Sequence, residues 1–217
     1  MNVAYNRDCL EAMREMPDKA VYLAVCDPPY GIRRFEHGET SRLRKYGDFT
    51  TVNNMPFTKE MFGEICRVSE HQIVWGYNHL SNILPPCSEF IFWYKHQTVP
   101  TYADGELAYT SFGKTAKCFD YPFRGAVGAE KTERIHPTQK PVALYSWLLT
   151  NYAKNGGVVF DPFLGSGSSR IAAFDLGLDF IGYEINKTYF DKQEERFAKH
   201  TAQANLFLGE QIGLFGE

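Results

Sequence analysis

Asp27, Pro28, Pro29 and Tyr30 put a carboxylate, a rigid backbone and an aromatic ring within four residues. Each proline fixes φ and gives up its amide proton, so the Pro28 carbonyl is left as an acceptor beside the Asp27 carboxylate. Two acceptors next to a stacking surface suit the exocyclic amine of a flat heterocycle. Such an amine is a poor nucleophile, because its lone pair is delocalised into the ring. Acceptors on both N–H bonds let the nitrogen pyramidalise and attack an electrophile directly, with no covalent enzyme intermediate. The competing use of the same residues is an ordinary Asp-Pro turn at a strand end.

A second group of residues lies in the last third of the chain, as Asp161-Pro162-Phe163-Leu164-Gly165-Ser166-Gly167 followed by Glu184. Glycines at the start of a helix let the backbone approach a ligand, and an acid roughly 20 residues further on, at the end of the next strand, can hold ribose hydroxyls. Arg170 occupies the neighbourhood of the third glycine that a pyrophosphate cradle uses. A nucleoside without phosphates therefore fits better. Asp161 would repel a diphosphate and attract the ammonium of an amino acid, so the inferred ligand is S-adenosylmethionine. The competing reading is a surface turn with Glu184 as a solvated strand end.

Both groups need a sheet edge to hold them. Val21 to Cys26 is an apolar, β-leaning run suited to a buried strand of a parallel sheet, and it delivers Asp27 to the carboxyl edge where open α/β folds bind ligands. Val158 to Phe160 does the same for Asp161, and Phe180 to Tyr183 for Glu184. Further strands are expected at Val3 to Tyr5, Gln72 to Trp75, Phe90 to Tyr94 and Leu107 to Phe112. Asp8 and Glu11 have capping-box spacing for a helix carrying Leu10, Met13 and Met16, and Thr58 starts one with Met61, Phe62, Ile65 and Val68 inward. Pro141 opens a third, marked by Val142, Tyr145, Leu148, Leu149 and Tyr152. Thr188 and Asp191 cap the last. Alternating strands and helices predict a Rossmann-like, doubly wound α/β fold with a mostly parallel sheet.

In this order, Asp27-Pro28-Pro29-Tyr30, His136-Pro137-Thr138-Gln139-Lys140-Pro141 and Asp161-Pro162-Phe163-Leu164-Gly165-Ser166-Gly167 resemble the β group of adenine-N6 and cytosine-N4 DNA methyltransferases. Trp75-Gly76-Tyr77-Asn78 and Phe92-Trp93-Tyr94-Lys95 resemble strands of that family, so the likeness spans most of residues 5 to 200. It implies a circularly permuted, seven-stranded class I methyltransferase fold in a single domain over 1–217. The catalytic half would cover about 1–112, a short recognition segment about 113–135 and the cofactor half about 136–204. The implied activity is site-specific methylation of a flipped-out adenine at N6, with S-adenosylmethionine as donor and double-stranded DNA as substrate. Asp27, Pro28, Pro29 and Tyr30 would be catalytic. Asp161, Phe163 and Gly165, with Ser166 and Gly167, would line the methionine end of the cofactor, and Thr138 and Lys140 would help hold its carboxylate. Glu184, with Asn186, would take the ribose hydroxyls, Asp8 and Cys9 would lie by the adenine, and Asp27 would border the same site.

Cytosine-N4 methylation uses the same amine chemistry and is the nearest alternative, although that group more often has Ser in place of Asp27. An inactive methyltransferase-like nucleic-acid-binding subunit is the alternative from another class. Pro85-Pro86-Cys87 is similar to the nucleophile motif of cytosine-C5 methyltransferases, but it precedes a strand away from the amine site and reads as a turn.

A net charge of −3 across 217 residues does not advertise a polyanion binder, so phosphate contacts must be local. Arg33, Arg34, Arg42, Arg44 and Lys45 form one basic segment, expected to contact phosphates, and Lys114, Lys117 and Arg124 belong to a second, aromatic-basic one, expected to read bases. The five cysteines are scattered without a Cys-x-x-Cys pair, which argues for a reducing compartment and against a metal site. Nothing approaches bilayer length or a secretory signal. These features predict a soluble, cytoplasmic protein; the family resemblance implies a monomer or homodimer, bacterial or phage-encoded and nucleoid-associated, of the kind found in restriction-modification systems.

Overall fold

Val21–Cys26 is apolar throughout because the strand it forms, β2, is covered on both faces. Leu23 and Val25 pack into one layer with Ile73, Trp75, Leu144 and Leu148, while Ala24 and Cys26 pack into the other with Met13, Met61, Ile65 and Val74. The computed structural model describes residues 1–31, 56–97, 103–124, 127–128 and 134–214.

Strand β1 (Asn2–Tyr5) and helix α1 (Cys9–Glu15) precede β2; helix α2 (Lys59–Val68) and strands β3 (Ser69–Trp75), β4 (Ile91–Tyr94), β5 (Gly105–Thr110) and β6 (Lys117–Asp120) follow it. Two short strands, β7 (Phe123–Arg124) and β8 (Val127–Gly128), pair with each other. Helix α3 (Val142–Tyr152), strand β9 (Val159–Asp161), helix α4 (Ser168–Asp175), strand β10 (Phe180–Tyr183) and helix α5 (Lys187–Leu214) complete the chain.

The main sheet has the order β1-β10-β9-β2-β3-β5-β4-β6, and only β5 runs antiparallel to its neighbours. This is the expected doubly wound α/β architecture, with one correction: the sheet has eight strands rather than seven. The added strand, β6, lies in the expected recognition segment about 113–135, and buries only Phe119 of its four residues. One inward side chain cannot produce an alternating pattern.

In α1 the buried positions are Cys9, Ala12 and Met13, and Leu10 and Met16 pack half-buried against the same core. One further correction concerns a helix cap. The α5 cap is Asn186, whose Oδ1 accepts from the Thr188 and Tyr189 amides at 3.0 and 3.2 Å, whereas Asp191 pairs with Lys187 one turn apart. A short Asn side chain one residue before the helix reaches these free amides, which Thr188 and Asp191, already inside the helix, do not cap. Thr58 and Asp8 do cap as expected: Thr58 Oγ1 accepts from Met61 N at 3.1 Å, and Asp8 Oδ1 accepts from Leu10 N at 2.7 Å.

Candidate active site

After β9 the chain passes through α4 to β10 on one side, and after β2 it returns through α2 to β3 on the other. The crevice at the carboxyl ends of β9 and β2 is therefore the topological switch point, the ligand-binding position of open α/β sheets. Because Ala24 pairs with Phe160, the ends of these two adjacent strands bring Asp27 and Asp161 to the same edge. The cleft there is lined by residues that include Asp27, His136, Thr138, Lys140, Phe163 and Gly165.

At the β2 end, the Tyr30 hydroxyl donates to Asp27 Oδ1 at 2.7 Å. The Tyr30 ring lies against Gly76, where an added Cβ would come within 2.2 Å of Tyr30 Cε1, and Gly76 has φ +78. Only glycine fits both requirements. His79 stacks with Tyr30 at 5.5 Å between ring centroids. Burial raises the Tyr30 phenol well above its ordinary value, and the Asp27 charge adds to the shift. The Pro29 carbonyl accepts from Phe57 N at 3.4 Å, which ties down the exit of the proline turn.

Lys140 enters this corner from the segment before α3. Its ammonium is ion-paired with Asp27 Oδ1, lies 3.3 Å from Glu106 Oε2 and donates to Tyr30 Oη at 3.3 Å. Burial lowers its pKa, but Asp27 and Glu106 outweigh burial and leave it raised. The other Glu106 oxygen is paired with Lys95. Burial alone would raise the Glu106 carboxyl; Lys140 and Lys95 overcome it and hold the group down at about 2. Glu106 and His79 are not among the residues that the sequence points to, and Lys95 and His136 stand in the family-like motifs without a role assigned to either. Lys95 and Glu106 meet only because β4 and β5 pair antiparallel, with Trp93 opposite Glu106.

At the β9 end, Asp161 braces its own turn. Its Oδ1 accepts from Phe163 N at 2.9 Å and its Oδ2 from Ser169 Oγ at 2.5 Å. Burial pushes its carboxyl up to about 7 against these hydrogen bonds, and the charges of Asp27 and Glu184 push the same way. Glu184 Oε2 accepts from Gly165 N at 2.9 Å and its Oε1 from Asn186 N at 2.7 Å, so one acid holds the glycine turn to the α5 entrance. Gly167, the α4 cap, has φ +73 and packs close to Gln193. Ser168 Oγ donates to the Lys140 carbonyl at 2.8 Å, linking this turn to the corner that holds Asp27 and Tyr30. Cys9 is buried, with its thiol raised to about 12 by desolvation and then by Asp8. Glu184 also contributes to that shift, so Cys9 lies within electrostatic range of the glycine turn. His136 is lowered to about 3 by burial and then by Arg134, so it is a neutral wall of the cleft, edge-on to Tyr189 at 4.4 Å. Thr138 is exposed at the mouth, its hydroxyl 3.2 Å from His136 Nδ1.

Arg170 is structural. It bonds Asn2 Oδ1 at 3.0 Å and Glu194 Oε1 at 2.6 Å and packs on the Phe197 ring, tying α4 to β1 and α5. Cys87 bonds the Tyr77 hydroxyl through its amide, and its thiol reaches the Thr110 carbonyl, in keeping with a turn rather than a nucleophile. Lys114 covers the Phe112 and Tyr152 rings, Lys117 opens β6, and Arg124 ends β7. Arg33, Arg34, Arg42, Arg44 and Lys45 lie outside the described residues. Among the described residues no metal-binding cluster is found and no helix is long and apolar enough to cross a membrane.

The doubly wound, mostly parallel sheet with its crevice at the switch point has the Rossmann-like architecture of class I methyltransferases. The profile of a DNA methylase family, the N6 and N4 group, matches residues 39–195, and the chain belongs to that family. It is 24% identical over 231 residues to the type II methyltransferase M.HpaI of Haemophilus parainfluenzae, covering 87% of this chain and 72% of that protein. Its fold is shared with M1.HpyAVI, solved as a complex with SAM, at a TM-score of 0.60 and 21% identity, over 90% of this chain and 98% of the other. The cytosine-N4-specific PvuII DNA methyltransferase gives a TM-score of 0.60 at 15% identity, over 96% and 93% of the two chains.

Proposed function

We propose that this chain is a site-specific DNA adenine-N6 methyltransferase. The observation that carries the reading is the position of Asp27 and Tyr30 at the end of β2, beside the β9 end that carries Asp161 and the glycine turn. An amine clamp and a nucleoside site then share one crevice. S-adenosylmethionine supplies an electrophilic methyl group on a sulfonium. The charges of the crevice fit such a cation, because Asp27 and Glu184 both raise Asp161 and a positive ligand relieves that repulsion.

In this reading the Asp27 carboxylate and the Pro28 carbonyl accept the two N–H bonds of the amine and localise its lone pair. Asp27 stabilises the positive charge that grows on nitrogen, an interaction strongest in the transition state. Tyr30 stacks on the extruded base and offsets an extrusion cost of a few kcal/mol, since one such stack is worth roughly 1 to 3 kcal/mol. Asp161, Phe163, Gly165, Ser166 and Gly167 hold the methionine end of the donor, and Thr138 and Lys140 its carboxylate. Glu184 and Asn186 take the ribose, and Asp8 and Cys9 the adenine side. The same reading assigns the first half of one domain to catalysis, the stretch near 113–135 to base recognition and the rest to the cofactor. The basic segment from Arg33 to Lys45 contacts phosphates.

Incubation of the purified chain with duplex DNA and methyl-labelled S-adenosylmethionine, followed by digestion to nucleosides, tests this directly. Label in N6-methyladenine is expected. Label in N4-methylcytosine would overturn the base assignment, and no transfer would favour the inactive binding subunit.

A further inference from the structure

We propose that Glu106 is a positioning residue for methyl transfer, acting on Asp27 through Lys140; the inference rests on the amine-methylation reading above. The described side chains form a continuous run of alternating charge. Lys95 pairs with Glu106 Oε1, Glu106 Oε2 lies 3.3 Å from the Lys140 ammonium, and Lys140 pairs with Asp27, which also accepts from Tyr30. The run connects β4, β5, the segment before α3 and the end of β2.

Glu106 Oε2 is buried and, among the described residues, has no hydrogen-bond partner of good geometry, so it faces Lys140 chiefly as a charge. The Lys140 ammonium, which also lies 5.6 Å from the centre of the Trp75 ring, is thereby divided between two carboxylates. Division matters for the chemistry. An ammonium committed wholly to Asp27 would neutralise the carboxylate that must stabilise a developing cation, and would add its own repulsion to that cation. Shared with Glu106, it orients Asp27 while leaving the carboxylate electron-rich. Lys95 balances the second acid, so two carboxylates and two ammonium groups leave the partly buried corner neutral.

The test is a double-mutant cycle read by single-turnover methyl transfer with DNA and S-adenosylmethionine both saturating. Glu106→Gln is expected to lower the rate at least ~10-fold, with affinities for DNA and S-adenosylmethionine within about threefold of wild type, because the residue acts on charge and not on binding. In a Lys140→Met background, already slowed, the same change is expected to alter the rate by less than about twofold. If Glu106→Gln fails to fold, Lys95→Met/Glu106→Gln removes the pair together and is expected to show the same rate loss. A rate within about twofold of wild type for the Glu106 variant that folds, or losses that simply multiply with Lys140→Met, would overturn the proposal. Those outcomes leave the amine-methylation reading intact, since wild-type transfer tests it separately; a wild-type chain that transfers no methyl group would overturn both.

Discussion

Glu184, at the end of β10, holds Gly165 of the neighbouring turn, its carboxylate accepting the Gly165 amide at 2.9 Å while its second oxygen takes the Asn186 amide. The acid that the sequence suggests for ribose binding is, in the structure, the brace of the glycine turn. Glu184→Gln keeps one acceptor and loses the charge, and is expected to weaken S-adenosylmethionine binding ~10-fold while leaving DNA affinity unchanged. Calorimetry with each ligand separately checks this, and equal losses for both would point to general disruption of the edge.

If Asp161 holds the cofactor as proposed, cofactor binding is expected to depend on pH. Its carboxyl, raised to about 7 mainly by burial, is protonated in a large fraction of molecules at neutral pH, and a cationic ligand favours the ionised form. Affinity is therefore expected to rise with pH through about 7, by roughly tenfold between pH 6 and pH 8, relative to an Asp161→Asn variant in which this dependence is absent. The sign reverses for the empty fold. A carboxyl with its pKa raised in the native state binds more protons than the unfolded chain between the ordinary carboxylate range and about 7, so stability falls as pH rises through that window. Thermal melts of Asp161→Asn are expected to show a weaker decline over the same range.

Gly76 sets the position of the Tyr30 ring. Gly76→Ala combines a positive φ with a Cβ 2.2 Å from Tyr30 Cε1, so the ring must move. The backbone strain alone is about 1 to 2 kcal/mol, which for a domain of this size lowers Tm by roughly 2 to 8 °C. Methyl transfer is expected to fall at least ~10-fold at temperatures where the variant is fully folded, as the displaced ring no longer stacks on the base. A variant with the lower Tm and an unchanged rate would separate Tyr30 from base stacking.

The proposed amine clamp is legible in the sequence because its parts are contiguous: Asp27 to Tyr30 follow a strand whose unbroken apolar run announces burial on both faces. The glycine turn and Glu184 are legible because one helix and one strand separate them at a fixed spacing. The ion-paired run through Glu106 is not, because Lys95 and Glu106 are joined by an antiparallel pairing and meet Lys140 from a segment far along the chain. Strand β6 escapes for a different reason: a short edge strand with one buried side chain carries no alternation.

Phosphate binding by the basic segment predicts a particular salt dependence. Replacing Arg33, Arg34, Arg42 and Arg44 together with alanine is expected to flatten the slope of log affinity for duplex DNA against log salt by about 3 to 4, at slightly under one unit for each phosphate no longer neutralised. Fluorescence anisotropy over a salt series measures the slope, and an unchanged slope would remove the segment from the DNA interface.

The most direct test of the whole account is the single-turnover methyl-transfer rate of Asp27→Ala with DNA and S-adenosylmethionine both saturating. A loss of at least ~10²-fold is predicted, with S-adenosylmethionine affinity nearly intact, because a preorganised acceptor for the reacting amine has been removed. A variant that transfers methyl groups at close to the wild-type rate would contradict the account.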